Sequence, residues 1–218
     1  MKLRLSTRRE TAMTLFEVGV VVAVVLILAA VFLPRARISH SPETYCINNL
    51  KQVGLAYRIW EGDNGDKYPM GISVTNGGSM EMVATGDVVQ TFLSMSNELS
   101  TPKILLCPVD ATRSAALTFD SRFGPRNISY FVGVNVTNDL NPQSVLSGDS
   151  DLALAGKSPF APGLVALATN APIEWSNSRH THKGNIGLAD GSVQSVGNAQ
   201  TRQIFIRTEM ATNVLAIP

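Results

Sequence analysis

Charge is scarce in this sequence, and neither sign dominates. Asp, Glu, Lys and Arg make up 16% of the 218 residues, with 18 basic and 17 acidic side chains. That balance leaves no basic patch of the kind that tracks nucleic-acid phosphates, so no nucleic-acid partner is expected. Aromatic residues are few, at 6%. There is no phosphate loop, no Gly-x-Ser-x-Gly, no His-Glu-x-x-His and no Cys–His pair at a familiar catalytic spacing. The sequence therefore carries no enzyme signature, and none of the chemistry those motifs support is expected. Cysteine occurs twice, at Cys46 and Cys107, which allows one intramolecular bridge and no larger disulfide framework. No fixed-period repeat is visible, which excludes a solenoid.

What the sequence does have is one long apolar run, Met13 to Leu33, interrupted only by Glu17. As a helix it would extend roughly 31 Å, matching a bilayer core of about 30 Å. Its apolar residues go all the way round, unlike the single stripe of a soluble surface helix. An acid in such a span is costly and is a functional candidate by default. Ahead of the run, Lys2, Arg4, Arg8 and Arg9 outweigh Glu10. By the positive-inside rule this end stays in the cytoplasm, against the weaker pull of Arg35 and Arg37 beyond the run. Both cysteines then lie outside the cytoplasm, where disulfides persist. A Cys46–Cys107 bridge is expected, worth roughly 4 kcal/mol in the chain-entropy model. Two buried free thiols are the alternative.

The rest of the chain is long enough for one globular domain. Ser41-Pro42-Glu43 is a helix-start signal, with Ser41 as N-cap and Pro42 in the first position. A break or kink is expected near 39–42, then helix to about Trp60. Cys46, Leu50, Val53, Tyr57 and Trp60 recur at helical spacing and predict a core-facing stripe. Glu61-Gly-Asp-Asn-Gly-Asp66 reads as a solvated turn; it lacks the full calcium-loop pattern. Residues 71–86 read as irregular, and Asp87 as the cap of a helix to Leu99. Ile104 to Leu106 reads as a short buried strand, and 111–126 as loop. Asn127 to Val136 alternates, with Ile128, Tyr130, Val132 and Val134 on one strand face. Loops follow over 138–163, carrying one short strand near Leu152 to Ala155, and Leu164 to Ala168 is another apolar run. Asp190-Gly191, between β-rich runs within Asn185 to Val196, predicts a hairpin. Thr201 to Met210 reads as a last helix.

The start of the chain resembles the prepilin processing site of type IV pilins and type II secretion pseudopilins. The residues that carry this are Ala12, Met13, Thr14, Leu15, Phe16, Glu17 and Val18, after the basic leader MKLRLSTRRETA. Glu17 falls at the fifth position of the implied mature chain and Pro34 at the twenty-second. Ala12 stands where the family usually has Gly. Cys46-Ile-Asn-Asn-Leu-Lys-Gln-Val-Gly-Leu-Ala56, Leu106-Cys107-Pro108-Val-Asp110 and Asn141-Pro142-Gln143-Ser144 through Gly148-Asp149 are similar to a pseudopilin-like subgroup. So is His180, followed nine residues later by Asp190-Gly191.

The resemblance implies cleavage between Ala12 and Met13 by a membrane prepilin peptidase, and methylation of the new Met13 amine. It implies an assembly ATPase and an inner-membrane platform as partners, with the chain polymerising with itself and with other pseudopilins. Glu17 then pairs with the Met13 amine of a neighbouring subunit. The implied fold is α+β: one long N-terminal helix, half transmembrane and half amphipathic, packed on a C-terminal antiparallel sheet. The implied segments are 1–12 leader, 13–33 transmembrane and assembly helix, 34–61 amphipathic continuation and 62–218 periplasmic domain. The implied location is the bacterial inner membrane, single-pass, with the C-terminal domain periplasmic. The alternative is a membrane-anchored or exported binding or enzymatic domain with an uncleaved signal anchor, for which Arg8-Arg9 offers a twin-arginine-like feature.

No metal or cofactor is expected. His180, His182 and Asp190 are candidate ligands by residue type, but a zinc site needs three or four, no third His or thiolate is close in sequence, and Asp190 is explained by turn chemistry. Asp149 and Asp151 have the chemistry of calcium ligands without a matching motif.

Overall fold

The computed structural model describes residues 13–32 and 41–218, with backbone only for 30–32. The leader, Ala12 and Pro34 lie outside the described residues. The chain divides into two compact units, Met1–Ser39 and His40–Pro218.

In the first unit, helix α1 runs Leu15–Phe32. In the second, helix α2 runs Pro42–Asp63, with the Ser41 side chain accepting from the Thr44 N–H and Pro42 in the first turn. The single long N-terminal helix expected from the sequence is not seen. Ser41 has ψ 147°, an extended backbone that no helix can pass through, so α2 starts afresh there. Helix α1 has 18 residues, roughly 27 Å at the standard rise and short of a bilayer core of about 30 Å. No helix among the described residues is long and apolar enough to cross a membrane.

The second unit is mixed helix and sheet. Three short helices, α3 (Met80–Val83), α4 (Val89–Ser94) and α5 (Ser96–Leu99), follow α2. The Asp87 carboxylate accepts from the Val89 N–H at 2.8 Å at the start of α4. Residues Pro102–Leu105 form a 3-10 turn, not the expected strand. Pro102 sits in the first position and Thr101 caps the Lys103 N–H, which favours a turn over an extended ladder.

Eight strands follow: β1 (Tyr130–Gly133), β2 (Val145–Asp149), β3 (Leu152–Leu154), β4 (Gly163–Ala168), β5 (Ile173–Trp175), β6 (Lys183–Leu188), β7 (Val193–Gly197) and β8 (Thr212–Ile217). Helix α6 (Asn198–Arg207) lies between the last two. Six strands form one sheet in the order β4-β8-β1-β2-β6-β7, and β3 pairs with β5 separately. Every pairing in the six-stranded sheet is antiparallel.

This sheet is a middle layer. Tyr130, Val132, Leu146 and Ala216 join Cys46, Leu50, Val53, Tyr57 and Trp60 of α2 in one core. Phe131, Val145, Leu215 and Ile217 join Trp175 and Phe205 in a second core. Strand β1 is therefore buried on both faces, all four residues of it, where the alternating pattern predicted one.

Trp175 locks the second core. Its indole N–H donates to the Thr201 hydroxyl at 2.6 Å, and its ring covers Gly184 so closely that a Cβ there would lie 2.4 Å from it. The tethered indole cannot swing away. Gly184→Ala is expected to lower stability by about 1–3 kcal/mol, the usual effect of overpacking, read as a lower urea midpoint with an unchanged slope.

Candidate functional site

Two places hold the residues that the sequence singled out. The first is the start of α1. Thr14 precedes the helix, and its backbone N–H and hydroxyl both donate to Glu17 Oε2, at 2.8 and 3.0 Å. The Glu17 N–H donates back to the Thr14 hydroxyl at 3.3 Å. This is a reciprocal capping box, which satisfies amide groups that the first helical turn would otherwise leave open. Sequence reasoning missed it, although Thr-x-x-Glu before an apolar run is its standard signature. On either side of Glu17 the helix is apolar and uncovered within its unit: Leu15 is 93% and Phe16 80% exposed. Val18, Val20 to Val22 and Val24 to Leu28 are also exposed. An apolar surface of this extent calls for an apolar partner.

The second place is a buried polar seam beside the disulfide. Cys46, on α2, is joined to Cys107, which ties the helix to the segment after α5; both cysteines are fully buried. Asn49, one turn further along α2, donates to the Leu106 carbonyl at 2.9 Å. His180 is buried against this bridge, its Nε2 3.4 Å from Cys107 Sγ and 3.5 Å from Asp149 Oδ2. The backbone and side-chain N–H groups of Asn185 donate to that same Oδ2, at 2.8 and 2.9 Å. Asp149 Oδ1 and Asp151 Oδ1 are buried and have no hydrogen-bond partner. Burial pushes both carboxyls above the usual carboxylate range, against the opposing pull of His180 and Arg179.

Next to this lies Asp110. Its Oδ2 is 2.8 Å from Arg179 Nη2, 3.0 Å from Arg113 Nη1, and accepts the Ser129 hydroxyl at 2.8 Å. Its Oδ1 accepts the Thr112 hydroxyl at 2.6 Å. Burial works against the charge, but Thr112, Arg179 and Ser129 outweigh it and hold the Asp110 carboxyl below its ordinary range. Arg179 also donates to the Ser129 carbonyl and the Ser150 hydroxyl. Neither Arg179 nor Arg113 lies in a motif that marks it in the sequence. Asp110 and Asp149 each lie at the end of a family-like phrase, and Asp149 and Asp151 also have the chemistry of cation ligands.

The two ends of the His-x9-Asp-Gly signature do different work. His180 sits in the seam. Asp190 shapes the β6–β7 turn, its carboxylate accepting the Ser192 N–H at 2.8 Å. Gly191 has φ 83° and packs on Gly54 of α2, 3.6 Å from where a Cβ of Gly54 would stand. Tyr68 anchors the same turn by donating to the Ala189 carbonyl at 2.8 Å. His182 and Asp190 are exposed, and among the described residues neither joins His180 in a group with metal-ligand spacing.

Comparison with protein-family models, with characterised proteins and with solved structures found no match for this chain.

Proposed function

We propose that this chain is a structural subunit of a type II secretion pseudopilus or a type IV pilus-like fibre, polymerised after leader cleavage and N-methylation. The observation that carries the reading is the pairing of an apolar, uncovered α1 with a single acid in its first turn, placed directly after a prepilin-like Ala12-Met13-Thr14. In the fibre, α1 helices of neighbouring subunits bundle and bury that surface against each other. Glu17 then neutralises the Met13 amine of a neighbour, a pairing that sets register more than it adds net stability. The second unit is the globular domain of the subunit, its α2 tied to the segment after α5 by the Cys46–Cys107 bridge.

In this reading the partners are other copies and other pseudopilins, a prepilin peptidase, an assembly platform and an ATPase. Before assembly the chain resides at the bacterial inner membrane with its N-terminus cytoplasmic and the second unit periplasmic. That placement rests on the basic leader and the Met13 to Leu33 run, because α1 alone falls short of a span. The role is mechanical, and no catalysis is assigned.

Intact-mass and N-terminal measurement of the protein from bacterial membranes tests the reading. A mature chain starting at N-methylated Met13 is expected. A chain with its leader attached, or one cut beyond Ala30, would instead place it with anchored or exported binding domains.

A further inference from the structure

We propose that in the reduced chain Cys46, Cys107 and His180, completed by Asp149, bind a single soft divalent cation of the Zn²⁺ class. The inference is independent of the fibre reading. The ligand atoms of Cys46, Cys107 and His180 all lie within 4.8 Å of one another, and all three residues are buried. Asp149 brings a carboxylate oxygen to 3.5 Å from the same imidazole nitrogen.

Tetrahedral zinc has Zn–S near 2.3 Å and Zn–N near 2.0–2.1 Å, so neighbouring S and N ligands stand about 3.6 Å apart and N and O ligands about 3.3 Å. The observed separations are 3.4 Å for Cys107 Sγ to His180 Nε2 and 3.5 Å for His180 Nε2 to Asp149 Oδ2. Breaking the bond between the two sulfurs lets them part to the roughly 3.8 Å that two thiolate ligands need, and the Asp149 carboxylate, which lies outside the 4.8 Å group, must close on them as the fourth ligand.

The outer contacts suit a ligand set. Asn185 fixes the Asp149 carboxylate through two N–H donors, as outer hydrogen bonds do for metal-bound carboxylates. The other Asp149 oxygen is fully buried and unpartnered. His180 is followed by Thr181 at φ 51°, left-handed backbone that a β-branched residue disfavours. Thiolate, imidazole and carboxylate together select a zinc-like ion over a hard cation such as Mg²⁺.

The chemistry balances with a dithiol as reductant. Its two thiols become a disulfide as the Cys46–Cys107 bond breaks, and the two chain sulfurs take up two electrons and two protons. The cation then displaces those two protons as it binds.

The test uses full-length protein in detergent, reduced with a phosphine (which becomes its oxide) and titrated with Co²⁺ alone. Reduced wild type is expected to bind one Co²⁺ per chain, with thiolate-to-cobalt charge-transfer bands and the strong visible bands of a tetrahedral site. Oxidised wild type should show neither. Reduced His180→Gln should bind about 100-fold more weakly or worse, since even outer-contact losses cost 10–100-fold. If reduction unfolds the chain, Co²⁺ should restore its far-ultraviolet circular dichroism. The proposal is overturned by absent thiolate bands in the reduced wild type, by unchanged affinity in His180→Gln, or by failure of Co²⁺ to refold a chain that reduction has unfolded.

Discussion

Asp110→Ala should destabilise the second unit by about 3–5 kcal/mol, the usual cost of removing one member of a buried ion pair. The loss comes less from the missing contact than from what is left behind. Arg179, with a side chain only 6% exposed, would keep its charge but lose its close ion pair, with only Asp149 and Asp151 nearby, whose carboxyls burial pushes toward the neutral form. Its remaining hydrogen bonds to the Ser129 carbonyl and the Ser150 hydroxyl cannot neutralise that charge. Arg113 is the internal control. Its side chain is 15% exposed and closer to water, so Arg113→Ala should cost clearly less. A double-mutant cycle of Asp110→Ala with Arg179→Ala should show strong coupling, because removing both charges removes the unpaired one.

The acid dependence follows from the sign of the Asp110 shift. Its pKa is lowered in the folded state, so the unfolded chain takes up the proton first as pH falls. The stabilisation is fully present above the ordinary carboxylate range and fades as pH drops through the folded-state value. The gap between wild type and Asp110→Ala in urea midpoints should therefore be widest near neutral pH and narrow in acid. A gap that stays constant down to acid pH would show that Asp110 acts by packing and not by its charge.

Much of the second unit was legible because local signals and tertiary contacts agree there. Ser41-Pro42 starts α2, and the stripe from Cys46 to Trp60 is the face that packs on the sheet. Asp190-Gly191 makes the β6–β7 turn. Strand β2 was illegible for a physical reason. Ser147-Gly148-Asp149 looks like a turn, yet it is central and buried, because the Ser147 hydroxyl and Asp149 Oδ2 find specific partners. Ser147 donates to the Phe131 carbonyl at 2.7 Å, and Asp149 accepts from Asn185. Gly148 is required where the Phe131 ring crosses it, 2.7 Å from where a Cβ would sit. Strand β8 hides in a short tail after α6 and gains its stability from β4 and β1, on stretches distant in sequence. The seam was hidden in the same way. Asp110, Asp149 and the adjacent pair Arg179-His180 come from three separate stretches, and no spacing rule joins them before the sheet does. The single long helix is what the resemblance implies, whereas Ser41-Pro42-Glu43 signals a new helix start. The extended backbone at Ser41 makes α2 a separate element.

Replacing Glu17 is expected to leave membrane level and leader removal unchanged while fibre yield falls about tenfold or more, as for a buried charge stripped of its partner. The capping box makes the choice of replacement decisive. Glu17 can serve its own chain, by accepting from Thr14, and it can serve a neighbour, by pairing with the Met13 amine. Gln separates these roles. A Gln side chain still completes a capping box, since the motif accepts Glu or Gln at that position, but it carries no charge to neutralise an amine. Val removes both. If the neighbour's amine is what matters, Glu17→Gln and Glu17→Val should fail to assemble alike, because either leaves that amine charged and unpaired among apolar helices. If the cap alone matters, Glu17→Gln should assemble like wild type and only Glu17→Val should fail. Thr14→Val completes the set: it keeps the charge and removes the hydroxyl, so it should weaken the cap and spare the pairing. Fibres sheared from cells and quantified against the membrane pool give the readout. Equal defects in Gln and Val, with Thr14→Val near wild type, are the expected result. Wild-type yield from Glu17→Gln would refute the pairing and leave the acid as a helix cap.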